Sequence, residues 1–228
     1  MNKLKKVVII TGAGNGIGLA TTNNILSEFP NIKVIAIARN ISKLKKISSK
    51  NLQIIQADLL VDMDKINKLI GKQKIDGLLN NAGILIKKPV ENLRQKDFEI
   101  IYKTNVYVPF QLATSLLNNF TVNSHILNIG SMGGFQNTIK FPEMVFYSSS
   151  KAALHCMSQC LAVDFEPKKI NVNCLSIGSV ETEMVKQAFP GFKPPITAKT
   201  ISKFISWFLI HGQNFMNGQI IPVQLKSV

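Results

Sequence analysis

The chain has 228 residues, of which 46% are hydrophobic and 18% charged, so its composition is that of a globular protein and excludes a largely disordered one. Its length suits one large α/β domain and is too short for two ordinary ones, so we expect a single domain over residues 1–228. The net charge is +14, but only Arg39 and Arg94 are arginines and no dense basic run is interleaved with aromatics, which argues against nucleic acid as a partner.

The N-terminal segment and the cysteines bear on the compartment. Met1 to Lys6 is basic, but only four apolar residues follow before a glycine turn, too few for a signal peptide. No apolar run approaches the roughly 18 residues of a membrane span. Cys156, Cys160 and Cys174 are odd in number and form no CxxC pair, so we interpret all three as small buried hydrophobes. These features favour a cytoplasmic protein without membrane attachment.

Short apolar runs and segments of helical period alternate along the chain. Strands are predicted at Lys6–Thr11, Lys33–Ala38, Leu52–Ala57, Ile75–Asn80, His125–Gly130, Ile170–Leu175 and Gln219–Val223. Helices are predicted at Ile17–Glu28, Ser42–Ile47, Met63–Ile70, Phe98–Leu117, Ser148–Phe165 and Ala198–Leu209, and the clearest loop is Phe189–Pro195. This alternation is typical of βαβ units and predicts an α/β fold: a Rossmann-type, doubly wound, parallel seven-stranded sheet with helices on both faces.

A glycine-rich turn follows the first predicted strand. It reads Thr11, Gly12, Ala13, Gly14, Asn15, Gly16, Ile17, Gly18. Glycines let the backbone turn tightly and approach a pyrophosphate, whose charge is favoured at a helix N-terminus. The spacing differs from G-x-G-x-x-G, and alone it would also suit a plain strand–helix turn. Its place after the first strand favours a dinucleotide-binding turn.

The end of the second predicted strand discriminates between two dinucleotides. An NAD site usually carries an acidic residue about 20 residues past the glycines, yet no acidic residue lies between Glu28 and Asp58. The strand is followed instead by Arg39, whose guanidinium can bind a 2′-phosphate with two hydrogen bonds. We therefore expect NADP(H), the alternative being an exposed arginine that opens the next helix.

Four further motifs follow in order: Asn80-Asn81-Ala82-Gly83, Asn105, Ser131 and Tyr147-Ser148-Ser149-Ser150-Lys151. With the glycine turn, they resemble the short-chain dehydrogenase/reductase family from Lys6 to about Val223, nearest to its 3-oxoacyl carrier-protein reductase branch. The resemblance implies a catalytic tetrad of Asn105, Ser131, Tyr147 and Lys151. It also implies cofactor contacts from Thr11, Gly12, Asn15, Gly16, Ile17, Gly18, Asp58 (at the adenine), Asn81, Ala82, Gly83, Tyr147, Lys151, Gly178, Val180 and Thr182.

The chemistry of these residue types supports the roles. Tyr147 and Lys151 are four apart and share one helix face, where an ammonium would favour the phenolate over the ordinary tyrosine pKa of about 10. Ser131 would orient the substrate oxygen, and Asn105 would hold a water that relays protons to Lys151. We predict an enzyme that transfers a hydride between NADP(H) and a carbonyl or alcohol carbon. No metal is expected, because His125, His155 and His211 lack ligand spacing.

Several features leave the substrate open. Ile177 stands where the family usually has proline, which predicts a looser nicotinamide loop. Six apolar residues suggest an apolar rim to the cleft, or simply core: Met132, Phe135, Met144, Val180, Met184 and Phe189. A ketone, an aldehyde or a 3-oxoacyl group presented on an acidic carrier protein would fit, and sugar- or polyketide-type substrates stay open.

The sequence is also compared with two other functions, and its long helices suggest a state of assembly. An NADP-binding regulatory or scaffold protein without activity is the alternative, against which the complete tetrad argues. A nucleotide-sugar epimerase would need a differently spaced glycine turn and a larger C-terminal domain. Family members often associate through the two long helices predicted here at Phe98–Leu117 and Ser148–Phe165, and the second is more apolar than one buried stripe requires. We therefore expect a homodimer or homotetramer.

Overall fold

The computed structural model describes residues 6–225. Most of the basic N-terminal segment, which was interpreted above as unlike a signal peptide, lies outside the described residues. Seven parallel strands form one sheet in the order β3-β2-β1-β4-β5-β6-β9, and β7 pairs with β8. The strands are β1 (Lys6–Thr11), β2 (Ile32–Ala38), β3 (Leu52–Gln56), β4 (Ile75–Asn80), β5 (Phe120–Ile129), β6 (Ile170–Ile177), β7 (Val180–Glu181), β8 (Ile196–Thr197) and β9 (Ile220–Val223). The predicted seven-stranded parallel sheet is confirmed.

Helices connect the strands. They are α1 (Gly16–Glu28), α2 (Met63–Ile70), α3 (Gln95–Tyr102), α4 (Val108–Ser115), α5 (Val145–Asp164), α6 (Glu183–Ala188) and α7 (Ala198–His211). Shorter 3-10 turns occupy Leu44–Lys46, Val90–Asn92, Met132–Gly134, Glu166–Lys168 and Gly212–Asn214. Within residues 6–225, no helix combines the length and apolar character that crossing a bilayer requires.

Two hydrophobic cores cover the two faces of the sheet. Successive residues of β1 point to opposite faces, so Ile9 packs in a core with α2, α4 and α5, while Ile10 packs in a core with α1 and α7. Both side chains are fully buried, which explains why β1 is a continuous apolar run. Because β1 pairs with β2 on one side and with β4 on the other, the strand order reverses there. A crevice for ligands is expected outside the carboxyl ends of strands at such a reversal.

Some predicted helices are wrong in extent. Ser42–Ile47 contains only the 3-10 turn Leu44–Lys46, in which Leu44 is fully buried while Lys45 and Lys46 are exposed. Phe98–Leu117 is two helices, α3 and α4, joined by a π-helical turn at Lys103–Tyr107. The reason is Pro109, which has no N–H to donate to the carbonyl of residue 105. Helix α6 and the short strands β7 and β8 were not predicted.

The prediction of three buried cysteines is wrong for two of them. Cys156 and Cys160 are exposed, whereas Cys174 is buried in β6. Helix α5 turns Leu154, Ser158 and Leu161 toward the protein interior, and the two exposed cysteines lie on its outer side. Cys156 and Cys160 are four residues apart and lie on one face of α5, but that face points away from the protein interior.

A buried histidine in β5 predicts how stability depends on pH. His125 Nδ1 lies 3.1 Å from the Leu209 carbonyl and Nε2 lies 3.0 Å from the Asn173 amide, partners that suit a neutral ring with its proton on Nδ1. Burial lowers the pKa of His125 from 6.5 to about 4. The unfolded chain therefore binds the proton at a higher pH than the folded protein. The free energy of unfolding should then fall by about 3 kcal/mol as the pH drops from 6.5 through 4.

Urea unfolding at pH 7 and pH 4.5 tests this expectation. His125→Gln should lose that part of the acid destabilisation, because the amide does not titrate. His211→Gln, on a histidine that is only partly buried, is the matched control. An unchanged acid dependence in His125→Gln would rule out His125 as its source.

Candidate active site

A cleft of about 360 Å³ opens at the carboxyl ends of β1, β4, β5 and β6. It brings together most of the predicted site residues: Gly12, Asn15, Gly16, Ile17, Arg39, Asn81, Ala82, Gly83, Ser131, Tyr147, Lys151, Gly178, Val180 and Thr182. Ile129, Gly130, Ile177, Glu183, Met184 and Val185 also line it. Thr11, Gly18, Asp58 and Asn105 are not among the lining residues, so any role they have is exerted through neighbours or at the cleft margin.

The glycine turn brings helix α1 very close to its neighbours. A Cβ on Gly18 would lie 2.4 Å from the Gly12 carbonyl oxygen, and one on Gly12, whose φ is +63°, would lie 2.9 Å from the Ala82 Cα. Neither position accepts a larger side chain without displacing backbone. The first turn of α1 carries no acidic residue, so no carboxylate there offsets the positive end of the helix dipole, which favours an anion.

Thr11 and Asn81 lock the turn against β4. The Thr11 hydroxyl accepts hydrogen bonds from the backbone N–H groups of Asn81 (3.0 Å) and Ala82 (3.1 Å) and donates to the Leu79 carbonyl (3.2 Å). The Asn81 amide donates back to the Thr11 carbonyl at 3.0 Å and to the Gly12 carbonyl at 3.3 Å. Thr11 thus does not line the cleft, but it fixes the glycine turn to the end of β4 and the residues that follow.

Two cations lie at the side of the cleft next to β2: Arg39, which was predicted from the sequence, and Lys43, which was not. Arg39 is exposed, and its Nη1 is 3.8 Å from Asp58 Oδ2. Asp58 also accepts a hydrogen bond from the Leu60 N–H, which holds its carboxylate at the end of β3. Lys43 was missed: its Nζ donates to Asn15 Oδ1 at 2.8 Å and so reaches the glycine turn. The available signal was its position four residues after Arg39 in the same connection between β2 and β3.

Lys151 and Tyr147 lie on one face of α5. The Lys151 ammonium donates to the Ile129 carbonyl at 2.8 Å and lies 6.0 Å from the centre of the Tyr147 ring. Burial lowers the pKa of Lys151 to about 8, and the nearby Cys174 thiol acts in the opposite direction. Burial also raises the pKa of Tyr147, against the hydrogen bond with Ser131, which lowers it. The expected net lowering of the Tyr147 pKa is therefore not found in this structure.

Asn105 occupies the π-helical turn and is completely buried. Its Oδ1 accepts from the Ile84 N–H at 2.9 Å, and its Nδ2 donates to the Ile84 carbonyl and to Ser150 Oγ, both at 3.0 Å. A Cβ on Gly83 would lie 3.2 Å from Asn105 Oδ1 and 3.5 Å from Lys151 Nζ. The Asn105 side chain therefore ties the segment after β4 to α5, beside the lysine.

His155 extends the same helix face by one more turn and was missed. A Cβ on Gly130 would lie 2.3 Å from His155 Nε2, so the imidazole fills the space beside the backbone that leads to Ser131. Burial, assisted by the Lys151 charge, lowers the pKa of His155 to about 4. Its spacing of four residues from Lys151 was the signal available in the sequence.

The sequence led to one prediction for the loop after β6 and to another for the apolar rim of the cleft. Strand β6 continues through Ile177, which pairs with Val223, and the Gly178 N–H donates to the Val223 carbonyl at 2.9 Å. The sheet therefore holds position 177, and the looser loop after it stays a prediction. Of the six apolar rim candidates, only Val180 and Met184 line the cleft. Met144 is buried, as core residues are.

A second cavity, of about 280 Å³, lies on the opposite side of the molecule, at the amino ends of the strands. Its lining residues are Lys6, Val8, Ile32, Asp76, Val122, Asn123, Leu209, Ile210, Gln213 and Asn214. None of these is a predicted site residue, and two Asp76 oxygens already accept hydrogen bonds from Val7 and Thr121. The predicted site residues therefore lie away from this cavity.

Comparison with known proteins agrees with this arrangement. Residues 6–191 match the short chain dehydrogenase family. The 3-oxoacyl-[acyl-carrier-protein] reductase FabG of Buchnera aphidicola subsp. Baizongia pistaciae is 29% identical over an alignment of 252 positions that covers 98% of this chain and 97% of the reductase.

Two solved structures superpose over almost the whole chain. ElxO with NADP bound is 26% identical, with a TM-score of 0.81, and the match covers 96% of this chain and 97% of that one. The 4-hydroxyisoleucine dehydrogenase complexed with NADH is 25% identical, with the same TM-score and the same two coverages. Similar proteins thus carry either nicotinamide dinucleotide. The chain belongs to the short-chain dehydrogenase/reductase family of oxidoreductases.

Proposed function

We propose that the protein is an NADP(H)-dependent oxidoreductase that interconverts a carbonyl compound and its alcohol. The observation that carries the proposal is a single cleft in which Ser131, Tyr147 and Lys151 lie beside the glycine turn. The family gives the reaction class, and the similar protein ElxO binds NADP. The test is loss of NADPH absorbance with a panel of ketones, aldehydes and 3-oxoacyl thioesters. NADPH binding without turnover on the whole panel would favour a regulatory or scaffold protein instead.

The residues present fit a dinucleotide. Gly12 and Gly18 leave no room for side chains in the turn, so a ligand can approach its backbone, and α1 adds its positive end with no acidic residue in its first turn. Gly83 lies beside Lys151 Nζ, where any side chain would narrow the cleft. When bound, the dinucleotide supplies or accepts the hydride. The chain's own residues must position the substrate and move its proton.

Tyr147 is proposed to exchange that proton with the substrate oxygen. Because burial raises its pKa, the phenol keeps its proton at neutral pH and is ready to donate it, which suits the reductive direction. Ser131 shares a hydrogen bond with this phenol and would orient the substrate oxygen toward it. Lys151 would stabilise the phenolate left after donation and hold the ribose, so it must carry its charge.

Asn105 is proposed to act as a positioning residue. Its three side-chain hydrogen bonds fix the segment Gly83–Ile84 relative to α5. The Pro109 ring leaves the carbonyl of Asn105 without its usual donor four residues later, so this carbonyl could hold the water of the proposed proton relay. The relay would then run through the backbone of Asn105, and its side chain would keep the backbone in place.

Specificity for NADP(H) is proposed to rest on Arg39 and Lys43 together. Arg39→Asp should lower the preference for NADPH over NADH by about 100-fold, because it replaces a phosphate-binding fork with a repelling carboxylate. Lys43→Ala should lower it by about 10-fold, since one charge-assisted contact is lost. Lys45→Ala, on an exposed lysine of the same segment, is the control and should change nothing.

The measurement is the ratio of kcat/KM, or of dissociation constants, for the two dinucleotides. Retained NADPH preference in Arg39→Asp would remove Arg39 as the phosphate reader. Loss of preference in Lys45→Ala would indicate a diffuse charge effect instead of a defined site.

Self-association is proposed to cover the helix face formed by α3, the π-helical turn, α4 and α5. Large apolar side chains are exposed there: Phe98, Tyr107, Phe110, Val145 and Val163. Exposed apolar patches of this kind mark interaction surfaces. A homodimer or homotetramer, acting in the cytoplasm on a small carbonyl substrate, is the proposed working form, and analytical ultracentrifugation would test its size.

A further inference from the structure

Three loops at the carboxyl side of the sheet meet beside the cleft. They are residues 84–90 after β4, residues 135–144 after β5, and residues 189–192 after α6. Their contact is aromatic: the Phe141 and Phe189 ring centres are 6.3 Å apart and those of Phe189 and Phe192 are 6.4 Å apart, both pairs edge to face. We call these three phenylalanines the aromatic mouth.

Lys87, on the loop of residues 84–90, contacts both of the other loops. Its ammonium lies 5.1 Å from the centre of the Phe189 ring and 3.1 Å from Glu143 Oε2. Next to it, the Lys88 N–H donates to the Glu143 carbonyl at 3.0 Å, and the Lys88 ammonium binds both oxygens of the buried Asp97. The loops are therefore held together by specific contacts, and the mouth has a defined shape.

Helix α6 connects the aromatic mouth with the cleft. Its residue Met184 lines the cleft, and Phe189 caps the same helix five residues later, roughly 7 Å along the axis. Phe141 lies on the segment that leads directly into α5, six residues before Tyr147. The aromatic mouth is thus connected to the cleft through α6 and through the segment that precedes α5.

Two of the three phenylalanines are exposed over nearly half of their surface. Phe141 is 43% exposed and Phe192 is 49% exposed, and Met184, between the mouth and the catalytic residues, is 37% exposed. Exposed apolar surface next to a cleft is unfavourable unless a ligand covers it. A sugar would need polar partners for its hydroxyl groups, which phenyl rings do not provide.

We propose that the aromatic mouth is the substrate-specificity site and binds an apolar acyl chain or aromatic ring attached to the reacting carbonyl. This inference rests on the proposed function and names its substrate class. Among the substrates compatible with the sequence, it selects 3-oxoacyl or aryl ketones over sugars. Phe141 and Phe189 contact the apolar group, and Lys87 keeps Phe189 in place.

A matched substrate series tests the site. The wild-type protein should show kcat/KM for ethyl 3-oxodecanoate at least about 10-fold above that for ethyl acetoacetate, with D-glyceraldehyde the poorest of the three. Phe141→Ala and Phe189→Ala should each lower the value for the longer ester about 10-fold through KM, and leave ethyl acetoacetate unchanged. Phe215→Ala is the control, on a ring 74% exposed but far along the chain on the turn after α7. NADPH affinity and circular dichroism report that each variant is folded.

Calorimetric titration of the NADPH-loaded protein with the two esters separates this inference from the proposed function. Ring-dependent binding of the longer ester without turnover would contradict the oxidoreductase activity and support the aromatic mouth. Equal affinity and equal kcat/KM for the two esters, or preference for glyceraldehyde, would overturn the mouth while leaving the reaction intact. Equal losses on both esters in the two variants would also overturn it.

Discussion

Tyr147→Phe is expected to lower kcat by about 1,000-fold while NADPH binding persists. The substitution removes one oxygen atom, the only group in the cleft proposed to give a proton to the substrate oxygen, and general acid catalysis contributes about 100- to 10,000-fold. The aromatic ring stays, so its packing on α5 should be retained. Rates come from NADPH absorbance, and affinity comes from a fluorescence titration of the bound dinucleotide.

Tyr107→Phe makes the same chemical change on an exposed tyrosine of the π-helical turn and is the control. It should leave kcat within about twofold. A Tyr147→Phe protein that turns over at the wild-type rate would remove Tyr147 from the acid role. A parallel loss of NADPH binding would show that the phenol holds the dinucleotide instead of acting on the substrate.

Lys151→Met is expected to lower kcat/KM by about 100-fold or more and to remove its alkaline decline. Burial holds the pKa of Lys151 at about 8, so the ammonium is present below that pH and is lost as the pH rises through it. The wild-type kcat/KM should therefore fall above pH 8. The variant has no titrating group at this position and should give a flatter profile.

The same substitution has an opposite consequence for stability. Because the folded pKa lies below the ordinary 10.5, keeping Lys151 charged destabilises the fold, fully below pH 8 and progressively less up to pH 10.5. Lys151→Met should thus unfold at an equal or higher urea concentration at pH 7, even though it loses the hydrogen bond to Ile129. Lys168→Met, on an exposed lysine just after α5, is the control. An alkaline decline near pH 8 that survives in Lys151→Met would assign it to another group.

The strands of the sheet could be predicted because their signal lies in consecutive residues of the sequence. Strands buried on both faces must be apolar at successive positions, as in Val7 to Ile10, and such runs are visible without knowing what they contact. The glycine turn and the Tyr147–Lys151 spacing are equally local. The predicted long helix was wrong because a single residue, Pro109, divides it. The exposure of Cys156 and Cys160 could not be predicted because it depends on how α5 packs on the sheet.

Several parts of the candidate site depend on contacts between distant segments. The Lys43 contact with Asn15 spans 28 positions, and the His155 ring fills space beside Gly130. The aromatic mouth needs three loops that only the strand order brings together. The sequence shows the lysine near Tyr147 but not the burial of the phenol, which raises the pKa of Tyr147 in this structure.

Transfer of deuterium from NADPH labelled at C4 of the nicotinamide tests the central claim most directly. Mass spectrometry of the alcohol formed from a 3-oxoacyl ester should show one deuterium on the former carbonyl carbon, from one of the two labelled faces only. Tight binding of the labelled NADPH with no deuterium in any alcohol across the carbonyl panel would contradict the account.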